Sequence, residues 1–115
     1  MSAPWIPARG EVIYIQFSPH VGKEMPDEHP MLVLSERAFN EKTDTVIGVP
    51  MTHSAQNEAN PFAIPVQKGK EKSYILCSMP KSFDWKQRGA AKHPWGMSIK
   101  HQVDNVLLQL KDIIG

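Results

Sequence analysis

Cysteine is almost absent from this chain: Cys77 is the only one in 115 residues. A lone thiol excludes an internal disulfide framework and a zinc site built from several cysteines. Long hydrophobic runs are missing as well, and none approaches the roughly 20 apolar residues that a membrane span requires. The opening Met1-Ser2-Ala3-Pro4-Trp5 has neither the basic start nor the apolar stretch of a secretory signal, so a cytoplasmic protein with no membrane association is expected. Five histidines invite a metal reading. However, His20, His29, His53, His93 and His101 form no His-x-x-x-His pair, and no Cys-x-x-Cys accompanies them. Glycine-rich loops that cradle phosphate are also missing. The sequence asks for neither a metal nor another cofactor.

What is present points to a small folded domain. Hydrophobic residues at 41% and charged residues at 22% match ordinary soluble usage, which argues against intrinsic disorder. A chain of 115 residues and 13.0 kDa is expected to form one domain over residues 1–115. Ten prolines and seven glycines favour short elements joined by tight loops over a helical bundle. The net charge of +1 hides an uneven distribution. From Glu24 to Asp44 the chain is acidic, with only Arg37 and Lys42 in opposition. From Gln67 to Lys100 it is basic: Lys68, Lys70, Lys72, Lys81, Lys86, Arg88, Lys92 and Lys100 oppose Glu71 and Asp84 alone. Trp85 and Trp95 lie inside that basic stretch. Bases stack on aromatic rings while phosphates meet cations, so the pattern suits single-stranded nucleic acid. The alternative is a solvated lysine surface whose tryptophans belong to the core.

Glu11–Phe17 is rich in β-branched and aromatic residues and reads as a buried strand, with a turn at Arg9-Gly10 before it. Met31–Ser35 reads as a second strand and Thr45–Met51 as a third, with Pro50 placing the end of the latter at an edge or bulge. Phe62–Val66 and Tyr74–Ser78 read as two more, linked by a lysine-rich loop. Arg37–Lys42 has room for one helical turn capped by Ser35. Ile99, Val103, Val106, Leu107, Leu110, Ile113 and Ile114 fall at helical spacing and predict a C-terminal amphipathic helix, with Ser98 as its cap and Gly115 as its stop. Between the first two strands, Ser18–Pro30 has no helical or strand period and reads as a long loop. Such a loop in a small domain is more often functional than idle. The fold class is therefore mainly β: a small barrel-like sheet packed against one terminal helix. Cys77, inside an apolar strand, reads as a buried, inert thiol.

One ordered set of residues resembles a known family. Gly22-x-Glu24, Pro30, Leu32–Ser35, Phe39-Asn40, Val49-Pro50-x-Thr52 and Lys81-Ser82-x-Asp84-Trp85-x-x-Arg88-Gly89-Ala90 are similar in order and spacing to the MazF/PemK toxins. The resemblance runs from about Arg9 to Gly115. It implies an SH3-like barrel with a C-terminal helix, acting as a homodimer. It further implies a sequence-selective, metal-independent endoribonuclease on single-stranded RNA, with RNA in a groove at the dimer interface and a cognate antitoxin covering that groove.

Metal-free RNA cleavage has three chemical needs. The 2′-hydroxyl must lose a proton, the leaving 5′-oxygen must gain one, and the phosphorane oxygens need cationic or hydrogen-bonding neighbours. The resemblance assigns catalysis to His29, Thr52 and Glu24, and RNA contacts to Lys23, Lys81, Ser82, Trp85 and Arg88. This chain departs from the family in carrying Met25 for glutamine, Asp27 for glycine and His29 for arginine. Ser78 stands where relatives carry an aspartate. Arginine offers a permanent charge and a fork suited to phosphate, whereas histidine titrates. His29 is therefore expected to shuttle a proton, with Asp27 and Glu28 holding it protonated. Plain readings stand beside these roles. His29 as a surface residue, Glu24 as a loop anchor, Trp85 as core, Thr52 as a turn residue, and Lys81 and Arg88 as solvated cations all remain open. The competing function is a barrel of the same kind that binds nucleic acid, an antitoxin or a topoisomerase without cutting RNA.

Overall fold

The computed structural model describes residues 4–17 and 28–115. Seven strands and two helices follow in the order β1 (Val12–Gln16), β2 (Glu28–Val33), α1 (Arg37–Thr43), β3 (Thr45–Thr52), β4 (Ala63–Lys68), β5 (Glu71–Leu76), β6 (Lys81–Asp84), β7 (Ala91–Lys92) and α2 (Val103–Ile114). Every strand pairing is antiparallel, in the spatial order β4-β5-β3-β2-β1-β7 with β6 also beside β3. β3 organises the sheet. One edge pairs with β2, while the other pairs first with β6 (Thr45↔Asp84 to Gly48↔Lys81) and then with β5 (Met51↔Ile75, Thr52↔Tyr74). Pro50, which has no N–H to donate, sits where the partner changes, so the strand bends without stranding a donor. The sheet curls in this barrel-like way but does not close.

Both faces of the curled sheet are buried, each on its own apolar cluster. Val12, Leu32, Val49, Met51 and Ile75 pack with Trp95, Ile99, Val103 and Val106, which brings α2 onto one face. Ile13, Ile15, Phe17, Met31, Val33 and Val46 pack with Trp85 on the other. Alternation along β1 divides its residues between the two clusters, as the pleat requires. The fully buried Asn40 ties three segments together: its Nδ2 donates to the Pro7 and Ser35 carbonyls, and its own carbonyl accepts the Trp85 indole N–H at 2.8 Å. Each polar atom buried here has a partner, which is what allows an amide in the core. Gly10 takes φ +91° in the turn expected at Arg9-Gly10, which Glu11 closes by donating its N–H to the Ala8 carbonyl, while the Gly10 N–H donates to the Val33 carbonyl. Gly115, at φ +104°, closes α2 by donating to Lys111.

Several expectations are corrected. β2 starts at Glu28, so His29 and Pro30 belong to a strand, because they pair with Ile15 and Tyr14 of β1. Local pattern gave no sign of this, since the pairing partners lie on a separate strand, distant in sequence. Ser35 does not cap α1; its hydroxyl bonds Asn40 and accepts the Ile47 N–H instead. Ser98 likewise does not cap α2, which is preceded by a 3-10 turn at Lys100–Gln102. The lysine-rich link between β4 and β5 is a tight hairpin, with both strands running to Lys68↔Glu71. Between β3 and β4 the chain makes a 3-10 turn at Ala55–Ala59. The segment Lys81–Trp95 supplies β6 and β7, both too short to show a period.

The tightest backbone approach is at Gly48, where a Cβ would lie 2.4 Å from the Leu32 carbonyl oxygen and 2.9 Å from Met31. Backbone on one side cannot retreat without breaking the β2–β3 ladder. Gly48→Ala is therefore expected to cost about 2–3 kcal/mol, read as a lower urea midpoint with an unchanged slope.

Candidate functional site

The open ends of β2 and β3 carry the residues of interest. β2 and β3 pair as far as Met31↔Pro50; two residues beyond it, His29 on β2 and Thr52 on β3 fall on the same face of the sheet by the two-residue alternation. That face also carries Ile15, Phe17 and Met31. The Phe17 ring meets the His29 imidazole edge-on at 5.2 Å and Phe83 at 4.9 Å. His29 is only 8% exposed. Thr52 is half-buried, and its hydroxyl accepts the Ser54 N–H at 3.2 Å.

His29 is in an unusual electrostatic state. Burial pushes its imidazole below the usual 6.5, a hydrogen bond to the Met51 backbone works against that, and the nearby His53 ring adds to the depression. Of the two acids expected to keep His29 protonated, Asp27 lies outside the described residues and Glu28 is not among the groups that act on the ring; desolvation leads, and it favours the neutral imidazole. Among the described residues, its buried Nε2 has no hydrogen-bond partner. The bond to Met51 therefore falls to the other ring nitrogen, which carries the proton. Nε2 is left as a bare lone pair, the form that accepts a proton.

The other predicted residues divide. Lys81 lies across β3 from Gly48, on the same face as Thr52 by the two-residue alternation, and is half-buried. Ser82 is exposed and pairs with Ile47, which turns it to the reverse face. Trp85 is corrected from a base-stacking ring to a core residue: it is 8% exposed, meets Trp5 edge-on, and spends its N–H on Asn40. Arg88 is held by the protein. Its Nη1 donates to the Gln16 carbonyl at 3.1 Å, and its guanidinium lies 4.3 Å from the centre of the Phe83 ring. Lys23 and Glu24 lie outside the described residues, as does most of the predicted loop. Cys77 is buried, with its thiol pushed up to about 11 by desolvation, so it is no nucleophile near neutral pH. No group of three or more His, Cys, Asp or Glu is arranged to hold a metal among the described residues. Among them, no helix is long and apolar enough to cross a membrane.

Sequence reasoning missed a second cluster at the same strand ends but on the opposite face. Pro30, Met51, His53, Glu71, Ser73, His93 and Trp95 line a small crevice of about 10 Å³, room for one water. Tyr14 lies against His93 with ring centres 4.5 Å apart. The spread of His53, Glu71 and His93 along the chain hid this cluster. The only signal was that each lies close to a strand end.

The linkage between His29 and stability has a definite sign. Between its depressed folded value and 6.5, the unfolded chain binds a proton that the folded chain refuses. Stability is therefore lost as pH falls below about 6.5. Urea midpoints at about pH 7.5 and pH 5 should show the loss, and His29→Leu should reduce it.

Comparison with known proteins follows the same outline. A family model described as PemK-like, MazF-like toxin of type II toxin-antitoxin system matches residues 8–114. The endoribonuclease toxin MazF of Escherichia coli K12 is 32% identical over 92 residues, covering 80% of this chain and 81% of that protein. The endoribonuclease PemK of Escherichia coli is 28% identical over 88 residues, covering 73% of this chain and 65% of that protein. Among solved structures, MazF from Deinococcus radiodurans is similar at a TM-score of 0.75 and 26% identity, covering 97% of this chain and 99% of that one. The MazE–MazF complex from the same organism gives a TM-score of 0.71 at 23% identity, covering 97% and 98%.

Proposed function

This chain belongs to the PemK-like, MazF-like family of toxins of type II toxin–antitoxin systems, and we propose that it is an endoribonuclease cutting single-stranded RNA without a metal. The observation that carries the reading is the buried Nε2 of His29, unpaired among the described residues, on the face of the sheet that Thr52 shares. A native interior seldom leaves such a nitrogen without a partner unless it has work to do. In this reading the lone pair takes the 2′-hydroxyl proton as that oxygen attacks phosphorus; the P–O5′ bond breaks, the leaving 5′-oxygen takes up a proton from the imidazolium or from water, and a 2′,3′-cyclic phosphate remains. The Thr52 hydroxyl donates to a phosphorane oxygen, and Lys81, on the same face, supplies positive charge. Arg88 anchors the chain at Gln16, where β1 ends, and stacks on Phe83 beneath Phe17. It acts as a positioning residue rather than a free phosphate contact. The relatives named MazF and PemK are endoribonucleases by name, and the Deinococcus MazF is solved with MazE. The corresponding partner here is a cognate antitoxin, bound to a homodimer of this chain in the cytoplasm.

A second reading is favoured by the burial of His29. With Nε2 covered and no permanent charge at position 29, the barrel grips RNA or a protein partner without cutting. One assay separates the two. Purified, antitoxin-free protein is incubated with a long transcript in the presence of EDTA, and the ends are mapped. Cleavage to cyclic phosphate ends is expected, with Thr52→Val and His29→Ala each slower by about 100-fold. Intact RNA across a broad pH range, or activity abolished by EDTA, would overturn the nuclease reading.

A further inference from the structure

The hydroxyl of Thr52 hangs on a rotatable bond at the last residue of β3, so its aim is set by what surrounds it. The His29 ring bonds the backbone of Met51, the residue before Thr52, which brings the two proposed reacting groups to one strand end. Beyond Thr52 the chain leaves the sheet, and three kinds of contact fix it there.

The first is to the hydroxyl itself. The Ser54 backbone N–H donates to Thr52 Oγ1 at 3.2 Å. One lone pair of that oxygen is thereby engaged, while the hydroxyl proton has no acceptor among the described residues. A hydroxyl that accepts one hydrogen bond is polarised and becomes the better donor. The same bond selects one χ1 rotamer from the few that threonine allows. An anchored oxygen with a free proton suits the task given to Thr52, donation to a phosphorane oxygen.

The other contacts fasten the segment around Ser54 to β5. Ser73, itself buried, donates its hydroxyl to the Thr52 carbonyl at 3.1 Å. His53 Nδ1 donates to the Lys72 carbonyl at 2.7 Å, since a carbonyl only accepts. Glu58, near the far end of the 3-10 turn Ala55–Ala59, accepts from Lys72 at 3.1 Å and from the Tyr74 hydroxyl. A threonine turn of this kind forms from local bonds alone. Here β5 grips the chain on both sides of Ser54, so the N–H cannot swing away from Oγ1 without breaking those bonds.

We infer that Ser54 is a positioning residue for RNA cleavage, its main-chain N–H aiming and polarising the Thr52 hydroxyl. This role rests on the chain being a nuclease. Exchanging the amide between His53 and Ser54 for an ester deletes that N–H and keeps every side chain. Ser54→Pro deletes it genetically, at a residue whose φ of −63° already suits proline. Each change should lower kcat by about tenfold with KM unchanged, because the bond serves charge that develops only in the transition state. In the Thr52→Val background the same change should cost nothing further, since the hydroxyl it acts through is gone. NMR couplings of Thr52 should report one χ1 rotamer in the wild-type protein and averaging in the ester.

Full cleavage by the folded ester protein would overturn this role and leave the nuclease reading standing. So would a loss that appears in KM, a single Thr52 rotamer in both proteins, or a tenfold loss that persists in the Thr52→Val background. Intact RNA with the unmodified protein would sink the nuclease reading and this role with it.

Discussion

Pairing of β3 along both edges is the constraint on which the rest of the molecule depends. β2 pairs with one edge over Gly48–Pro50, while β6 and β5 share the other. A strand held this way cannot slip by one residue without turning its whole apolar set inside out. That register keeps Val49 and Met51 on one core and Val46 on the other. It also sets His29 and Thr52 on one face of the sheet and leaves Met51 and His53 facing the reverse crevice. Gly48 contributes to the same constraint, since only a residue without a side chain tolerates the Leu32 carbonyl so close.

The second organising theme is the control of imidazole protonation by backbone. His29, His53 and His93 each bond a main-chain group. Main-chain groups do not titrate, so each ring's tautomer follows from the fold rather than from pH. His29 and His53 each keep the proton on the nitrogen facing a carbonyl, whereas His93 keeps it on the far nitrogen. Desolvation further disfavours the charged forms of His29 and His93. A chain carrying histidine where its relatives carry arginine has thus lost a permanent cation and gained a neutral ring with an open lone pair. On the proposed reading, proton transfer rests with position 29, while charge stabilisation passes to Thr52 and Lys81.

Packing explains residues that looked chemical in isolation. Trp85 and Trp95 interrupt a basic stretch in the manner of base-stacking rings, yet both are buried, one on each core. Phe39-Asn40 and Asp84-Trp85 recur in the motif because Asn40 and Trp85 hydrogen-bond each other across the molecule, not because either reaches the surface. The Lys72–Glu58–Tyr74 group is similarly local. Lys72 pairs with Glu58 at 3.1 Å, Tyr74 donates to the same carboxylate, and all three stand at the edge of the β4–β5 hairpin.

The amino-acid sequence by itself determined the mainly β character, the core of the first three strands, the C-terminal helix with its glycine stop, the inert cysteine and the family. Each of these follows from local periodicity, turn chemistry or an ordered motif, and such signals act over a few residues. Tertiary structure alone decided that β2 reaches back to Glu28, that Trp85 is core, that Arg88 is held at Gln16, and that His29 is neutral. It alone assembled His53, Glu71 and His93. The reason is physical: strand partners, desolvation and tautomers depend on groups far away in the chain, and they come into existence only when β1, β3, β5 and β7 close around the same strand ends.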